Sequence, residues 1–436
     1  MDSDWLIATC PAKIQSCNPG LKRMLTIHQA STPKQNGSAP KIGLAIAGGG
    51  PVGAIYELGA LHALDESIKG VRLHEIDVYV GVSSGALIAA GLANRISTSE
   101  LCRIFIGQDY ASLKFDPAHF LRPAYQEYFQ RAAKLPSILT DTLSRLIFHP
   151  MRYSVSQFIG ELSKVIPSGI FDNEVIADFL EQAFEITGHG NQFDDLQAKL
   201  YIVAVDLDSG AAVRFGSESH RDVTISRAVQ ASAALPGLYP PVEINGRYYV
   251  DGALRRTLHA SVALDEGVDM MIGINPLVPF DIDAKHLNTQ GPIQQLIGGG
   301  LPLIMSQTFR ALIQSRMEAG FKKYYHSHPI ADLLLVEPDR GDEEIFFTNI
   351  FSYASRKALC EHAYQVTRQD LYARRHVIGP MLEKRGMSLR LDLLQDEGRN
   401  LEQSICEGTS SHASVARNLA HVLDDLDNML SNGQAG

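Results

Sequence analysis

Ile76-Asp77-Val78-Tyr79-Val80-Gly81-Val82-Ser83-Ser84-Gly85-Ala86-Leu87-Ile88-Ala89-Ala90 is the stretch whose reading decides the fold. An apolar strand ends at a glycine, and a run of small and aliphatic residues suited to a buried helix follows. A serine at such a junction sits on a sharp turn that pushes its hydroxyl out of the sheet. Gly81 and Gly85 let the backbone pass closely on either side, and the helix N-terminus offers a positive end to an oxyanion. A helix N-cap serine would explain the turn but not both glycines. Ser83 is therefore the candidate nucleophile.

Upstream, Lys41-Ile42-Gly43-Leu44-Ala45-Ile46-Ala47 reads as a buried strand that enters Gly48-Gly49-Gly50-Pro51-Val52-Gly53, with a helix from about Ala54 to Leu64 behind it. Two chemistries compete for this turn. As G-x-G-x-x-G it would cradle the pyrophosphate of a dinucleotide. As a row of bare amides aimed at a carbonyl oxygen it would form an oxyanion hole. The dinucleotide reading wants an acid at the end of the second strand to hold the ribose. Here that strand ends in Val80-Gly81-Val82-Ser83, and its acid, Asp77, lies at the other end. The serine occupies the place of the ribose acid, which favours a hydrolase.

Downstream, Val242-Glu243-Ile244-Asn245-Gly246-Arg247-Tyr248-Tyr249-Val250-Asp251-Gly252-Ala253 carries Asn-Gly between two alternating runs, a strong signal for a two-residue hairpin. Asp251 leaves the second hairpin strand just before Gly252, so a rigid element holds its carboxylate. A turn aspartate bonding its own backbone is the plainer reading of that residue taken alone.

Taken together, these segments resemble the patatin-like phospholipases. The matching pieces are the strand with Gly48 to Gly53, the elbow Gly81-Val82-Ser83-Ser84-Gly85, and Asp251-Gly252-Ala253. Ala231-Ser232-Ala233-Ala234-Leu235-Pro236, with Pro240-Pro241, also looks like the family's segment ahead of the aspartate. The resemblance runs from about Lys41 to Pro276. It implies a three-layer α/β hydrolase core with a mainly parallel sheet flanked by helices, plus a helical insertion and C-terminal helices. It makes Ser83 the nucleophile, Asp251 its general base, and Gly48, Gly49, Gly50 and Gly53 the oxyanion loop, with no cofactor and no metal. The implied activity is lipid acyl hydrolysis of phospholipase A or lysophospholipase type through a Ser–Asp dyad. A thioesterase or an esterase of storage polyesters or neutral lipids is the alternative on the same fold.

One residue departs from the family's pattern. Members often carry Arg or Lys at the fifth loop position, where this chain has Val52. That leaves the backbone amides intact but removes a charge that would suit an anionic headgroup, so neutral esters and lysolipids stay in play. The rival mechanism, a Ser-Asp-His triad, would need one of His259, His286, His326, His328, His362 or His376, and no local context singles one out. The rival classes are a flavin- or nucleotide-binding oxidoreductase using Gly48 to Gly53 and a catalytically silent scaffold.

Composition agrees with an enzyme. The chain has 436 residues, 45% hydrophobic and 20% charged, enough for a large core. A formal charge of −10 without a basic run argues against nucleic-acid binding. Five scattered cysteines, an odd number, favour a reducing compartment, and a cytoplasmic protein with peripheral membrane contact is expected. No apolar run has the length to span a bilayer. Along the chain, residues 1–40 read as a flexible leader and 41–380 as the hydrolase domain. Within that domain, about 115–168 form a helical insertion rich in aromatic and basic residues, a candidate lid or acyl-pocket wall. Ser97-Thr98-Ser99-Glu100 reads as a capping box, and Asp206 as a loop-capping aspartate. Leu296 to Ile304, apolar and glycine-interrupted, suits a membrane surface or a wall beside the acyl site. Residues 381–436 read as a helical tail, in which Val415, Leu419, Val422, Leu426 and Met429 fall at helical spacing. Its acidic polar face suits docking on the core or on a second copy of the chain.

Overall fold

The structure, a computed structural model, describes residues 25–30, 40–107, 116–125, 128, 129, 133, 167–281, 298–348 and 352–407. Its strands are β1 (Leu25–His28), β2 (Ile42–Ile46), β3 (Ile68–Lys69), β4 (Val78–Gly81), β5 (Lys199–Asp206), β6 (Ala212–Phe215), β7 (Val242–Ile244), β8 (Arg247–Asp251), β9 (Met270–Ile274), β10 (Asp332–Val336) and β11 (Ser388–Leu389). Nine of them form one sheet in the order β1-β10-β9-β2-β4-β5-β8-β7, with β6 also on β5. The neighbours β10, β9, β2, β4 and β5 are parallel; the remaining pairs are antiparallel.

The parallel strands are near-continuous apolar runs because both faces are covered, as parallel sheets require. Side chains alternate between the faces. Leu44, Ile46 and Tyr79 enter one core cluster, with the helices α1 (Gly50–Ser67), α2 (Ser84–Ala93) and α3 (Thr98–Ile106). Ala45, Val78 and Val80 enter a second, with Val262, Leu264 and Tyr324. The first face is completed by α4 (Glu174–Thr187), α5 (Ile225–Ser232) and α7 (Tyr353–Ala373). The long helix α6 (Gly300–Ser327) sends Met317 and Tyr324 to the second. The result is the expected three-layer α/β arrangement.

Several boundaries differ from expectation, each for a local reason. Helix α1 begins at Gly50 rather than near Ala54, since Pro51 suits a first helical turn, where its missing N–H is no loss. Strand β4 begins at Val78, because Asp77 accepts the Ile42 N–H at 2.8 Å. Leu25–His28 lie inside the stretch expected to be a flexible leader, yet they pair antiparallel with β10 as an edge strand. Ser388–Leu389 pair with β3, and the Leu401–Glu407 helix packs into the first core cluster through Leu401 and Ile405, so this part of the expected tail belongs to the core. The capping box at Ser97 and Glu100 is present in full, and Asp206 accepts the Asp208 N–H as a loop cap. Most of the insertion at 115–168, including Arg131 and Lys134, and the pattern from Val415 to Met429 lie outside the described residues. Among the described residues no helix is long and apolar enough to cross a membrane.

Candidate active site

Ser83 sits between β4 and α2 with φ 53° and ψ −124°, a conformation that side chains rarely adopt. The turn is held shut by two close approaches. A Cβ at Gly85 would lie 2.3 Å from the Ala47 carbonyl oxygen, and one at Gly81 would lie 2.4 Å from Ala86 Cα. Both glycines of G-x-S-x-G are thus packing requirements: Gly85 meets the strand entering the glycine loop, and Gly81 meets the first turn of α2.

Hairpin β7–β8 turns at Asn245 (φ 52°) and Gly246 (φ 76°), the paired positive angles of a type I′ turn. Strand β8 pairs antiparallel with β5, which is parallel to β4, and so brings Asp251 beside the elbow. The carboxylate is only 2% exposed. It accepts the Ala253 N–H at 2.8 Å, and the Ser83 side chain lies close enough to it to favour its ionised form. Burial raises its pKa from 3.8 to about 6, against the smaller lowering by those two neighbours. Asp251 is therefore a turn aspartate, as its plainer reading has it, and it stands beside Ser83.

The glycine loop divides its amides. The Gly49 N–H donates to Ser84 Oγ at 2.9 Å, and the Gly53 N–H to the Gly49 carbonyl at 3.0 Å. These two were expected to face an oxyanion and are instead committed, one to the Ser84 hydroxyl and one to the loop's own backbone. Among the described residues the Gly48 and Gly50 amides have no protein partner. A Cβ at Gly49 would lie 2.5 Å from Pro276 Cγ, so the loop is wedged against the segment leaving β9. A Cβ at Gly48 would lie 2.8 Å from Ser83 Cβ and 3.5 Å from its Oγ. Gly48→Ala should consequently displace the hydroxyl and lower kcat on the order of 10²-fold. Steady-state kinetics alongside a melting curve would separate this from unfolding.

Ser232 at the end of α5 belongs to the site although sequence reasoning gave it no role. Its buried hydroxyl accepts the Ser83 N–H at 2.9 Å and donates to the Val203 carbonyl at 2.6 Å. The signal was its place in the family-like segment from Ala231 to Pro236. Ser232→Ala leaves two buried groups unsatisfied and should cost about 1–3 kcal/mol in a denaturant titration. Three of the histidines weighed for a triad have partners other than Ser83 and Asp251. His259 lies 3.4 Å from the Gly252 carbonyl, and burial drops its pKa to about 4. His328 meets Asp265, and His362 meets Asp342 and Glu344. His286 lies outside the described residues.

The patatin-like phospholipase family model matches residues 44–264. A probable lipid hydrolase of Invertebrate iridescent virus 6 is 21% identical over 216 residues, 50% of this chain and 61% of that one. An uncharacterized protein of Acanthamoeba polyphaga mimivirus is 25% identical over 265 residues, 60% of this chain and 74% of that one. The chain thus spans less than two thirds of the first relative and more of the second. Among solved structures, VipD from Legionella pneumophila is similar at 18% identity and TM-score 0.29, covering 63% of this chain and 57% of that one. The type III effector protein ExoU, from Pseudomonas aeruginosa, is similar at 15% identity and TM-score 0.36, covering 94% and 69%. The matched span runs from β2 through the glycine loop, the serine elbow and the Asp251 turn, over half of its length, and the chain belongs to the patatin-like phospholipase family.

Proposed function

We propose that the protein is a lipid acyl hydrolase that cleaves carboxylic esters through a Ser83–Asp251 dyad. One observation carries this reading: Ser83, on a strained strand-to-helix turn, stands beside a buried carboxylate whose pKa is lifted to about 6 and on which the serine side chain acts. A serine hydroxyl is a weak nucleophile until a neighbour takes its proton during attack. A desolvated carboxylate has the basicity to do so near neutral pH.

The cycle follows from these groups. Ser83 Oγ attacks the ester carbonyl as its proton passes to Asp251, and the amides of Gly48 and Gly50 serve the developing oxyanion. The tetrahedral adduct collapses, the C–O bond breaks, and the leaving alcohol takes the proton from Asp251. Water then attacks the acyl-serine, giving its proton to Asp251. Collapse releases the fatty acid, and the proton returns to Ser83.

A fluorophosphonate probe tests this directly. Wild-type protein should be labelled at Ser83 and lose lipid ester hydrolysis in step with labelling. Labelling at another residue, or hydrolysis surviving full labelling, would refute the dyad.

A further inference from the structure

Gly48-Gly49-Gly50 is the part of the site with the weakest steric hold on its own shape. No residue of the run carries a Cβ, so its peptide planes can turn over at little cost. Two hydrogen bonds fix the planes on either side of Gly49. The Gly49 carbonyl accepts the Gly53 N–H at 3.0 Å, which sets the plane that carries the Gly50 amide. The Gly49 N–H donates to Ser84 Oγ at 2.9 Å, which sets the plane between Gly48 and Gly49. Among the described residues this is the loop's one hydrogen bond to a side chain.

The Ser84 hydroxyl is turned in an uncommon direction. A serine at a helix start ordinarily offers its oxygen to the amides of that helix. Helix α2 has no such side-chain cap. The half-buried Ser84 reaches instead across 35 positions of chain to Gly49, which is the N-cap residue of α1. One hydroxyl therefore ties the starts of α1 and α2 together. The nucleophile stands at that join, since a Cβ at Gly48 would lie 3.5 Å from Ser83 Oγ. Pro276 closes it from the other side, within 2.5 Å of a Cβ placed at Gly49 and 2.9 Å of one at Gly53. The amides of Gly48 and Gly50, which have no protein partner among the described residues, flank the peptide that Ser84 holds. Without that acceptor the Gly49 amide must find another, and the plane between the two open amides is no longer fixed. A misplacement of about 1 Å in a catalytic group costs on the order of 10²-fold in rate.

We propose that Ser84 is a positioning residue for the oxyanion: its hydroxyl pins the Gly48–Gly49 peptide so that the Gly48 and Gly50 amides converge on the carbonyl oxygen of the ester attacked by Ser83. The assignment rests on the acyl-hydrolase reading and adds to it a side chain that acts through the loop.

The test reads the oxyanion separately from folding. A p-nitrophenyl ester and its thionoester differ only in sulfur for the carbonyl oxygen, and sulfur accepts hydrogen bonds weakly. Wild-type protein should favour the oxygen ester. Ser84→Ala should lower kcat for the oxygen ester on the order of tenfold, with KM little changed, and slow the thionoester far less. The preference for oxygen should shrink by the same factor. Ser84→Thr, which keeps the hydroxyl, should recover that preference. Ser84→Cys keeps the size of the side chain but weakens the acceptor, so it should behave as alanine does. The cysteine variant carries the test if the alanine variant does not fold. Equal losses on both esters in Ser84→Ala and Ser84→Cys, or no loss on either, overturn the assignment. So does a folded threonine variant no more selective than alanine. If Ser83→Ala still hydrolyses the oxygen ester at the wild-type rate, the acyl-hydrolase reading itself has failed, an outcome distinct from an unchanged preference.

Discussion

Asp251→Asn should lose hydrolysis by 10²- to 10⁴-fold, the usual worth of a general base, and yet be harder to unfold than wild type above about pH 6. The two effects share one cause. Burial raises the Asp251 carboxyl from 3.8 to about 6, so the folded protein holds that proton more tightly than the unfolded chain does. The favourable contribution is complete below the unfolded value and is lost as pH rises through the folded one. Above it, the native state carries a buried carboxylate that the Ala253 N–H and the nearby Ser83 side chain only partly offset. A shift from 3.8 to about 6 corresponds to a cost on the order of 3 kcal/mol. Asparagine keeps an oxygen for the Ala253 N–H, which Asp251 accepts at 2.8 Å, and brings no charge. Denaturant titrations at pH 5 and pH 8 should show the variant's advantage to be larger at the higher pH. Wild-type kcat/KM should rise through about pH 6 to a plateau, since the base must be ionised. A variant less stable than wild type at pH 8, or an activity profile flat from pH 5 to pH 8, would mean that the charge is not buried as described.

The parts of the site legible in the sequence are those set by local backbone demands. Gly81 and Gly85 flank Ser83 because two chain segments come within contact there, and that demand is written into adjacent residues. Asn245-Gly246 announces its own turn, and the alternation on either side places Asp251 at a strand end. The parallel strands announce themselves as unbroken apolar runs, since both faces are covered. Features that depend on distant partners were not legible. Nothing near Gly49 in the sequence says that the Ser84 hydroxyl takes its amide. Ser232 reaches Ser83 across a separation of 149 positions, so no local spacing marks it. Strand β1 is only four residues long, two of them polar, and its partner β10 lies some three hundred residues onward.

The elbow itself sets the second large effect. Ser83→Ala should reduce turnover by about 10⁴-fold or more, the scale seen when a serine nucleophile is deleted. Ser83→Gly should be equally inactive, but the two variants should differ in stability. At φ 53° and ψ −124° alanine retains the steric conflict of its Cβ with the backbone, whereas glycine does not. Such strain costs about 1–3 kcal/mol, and glycine returns about 0.5–1 kcal/mol of it as unfolded-state entropy. The net expectation is that Ser83→Gly outlasts Ser83→Ala by about 1 kcal/mol in urea. Neither variant supplies the hydroxyl that lowers the Asp251 pKa, so in both the carboxyl should titrate higher than in wild type. Equal stability of the two variants would show that Gly81, Gly85 and the Ser232 bond hold the turn without stored strain. Higher stability for glycine would show that the fold holds its nucleophile out of the sheet at a measurable cost, as a hydroxyl poised for attack requires.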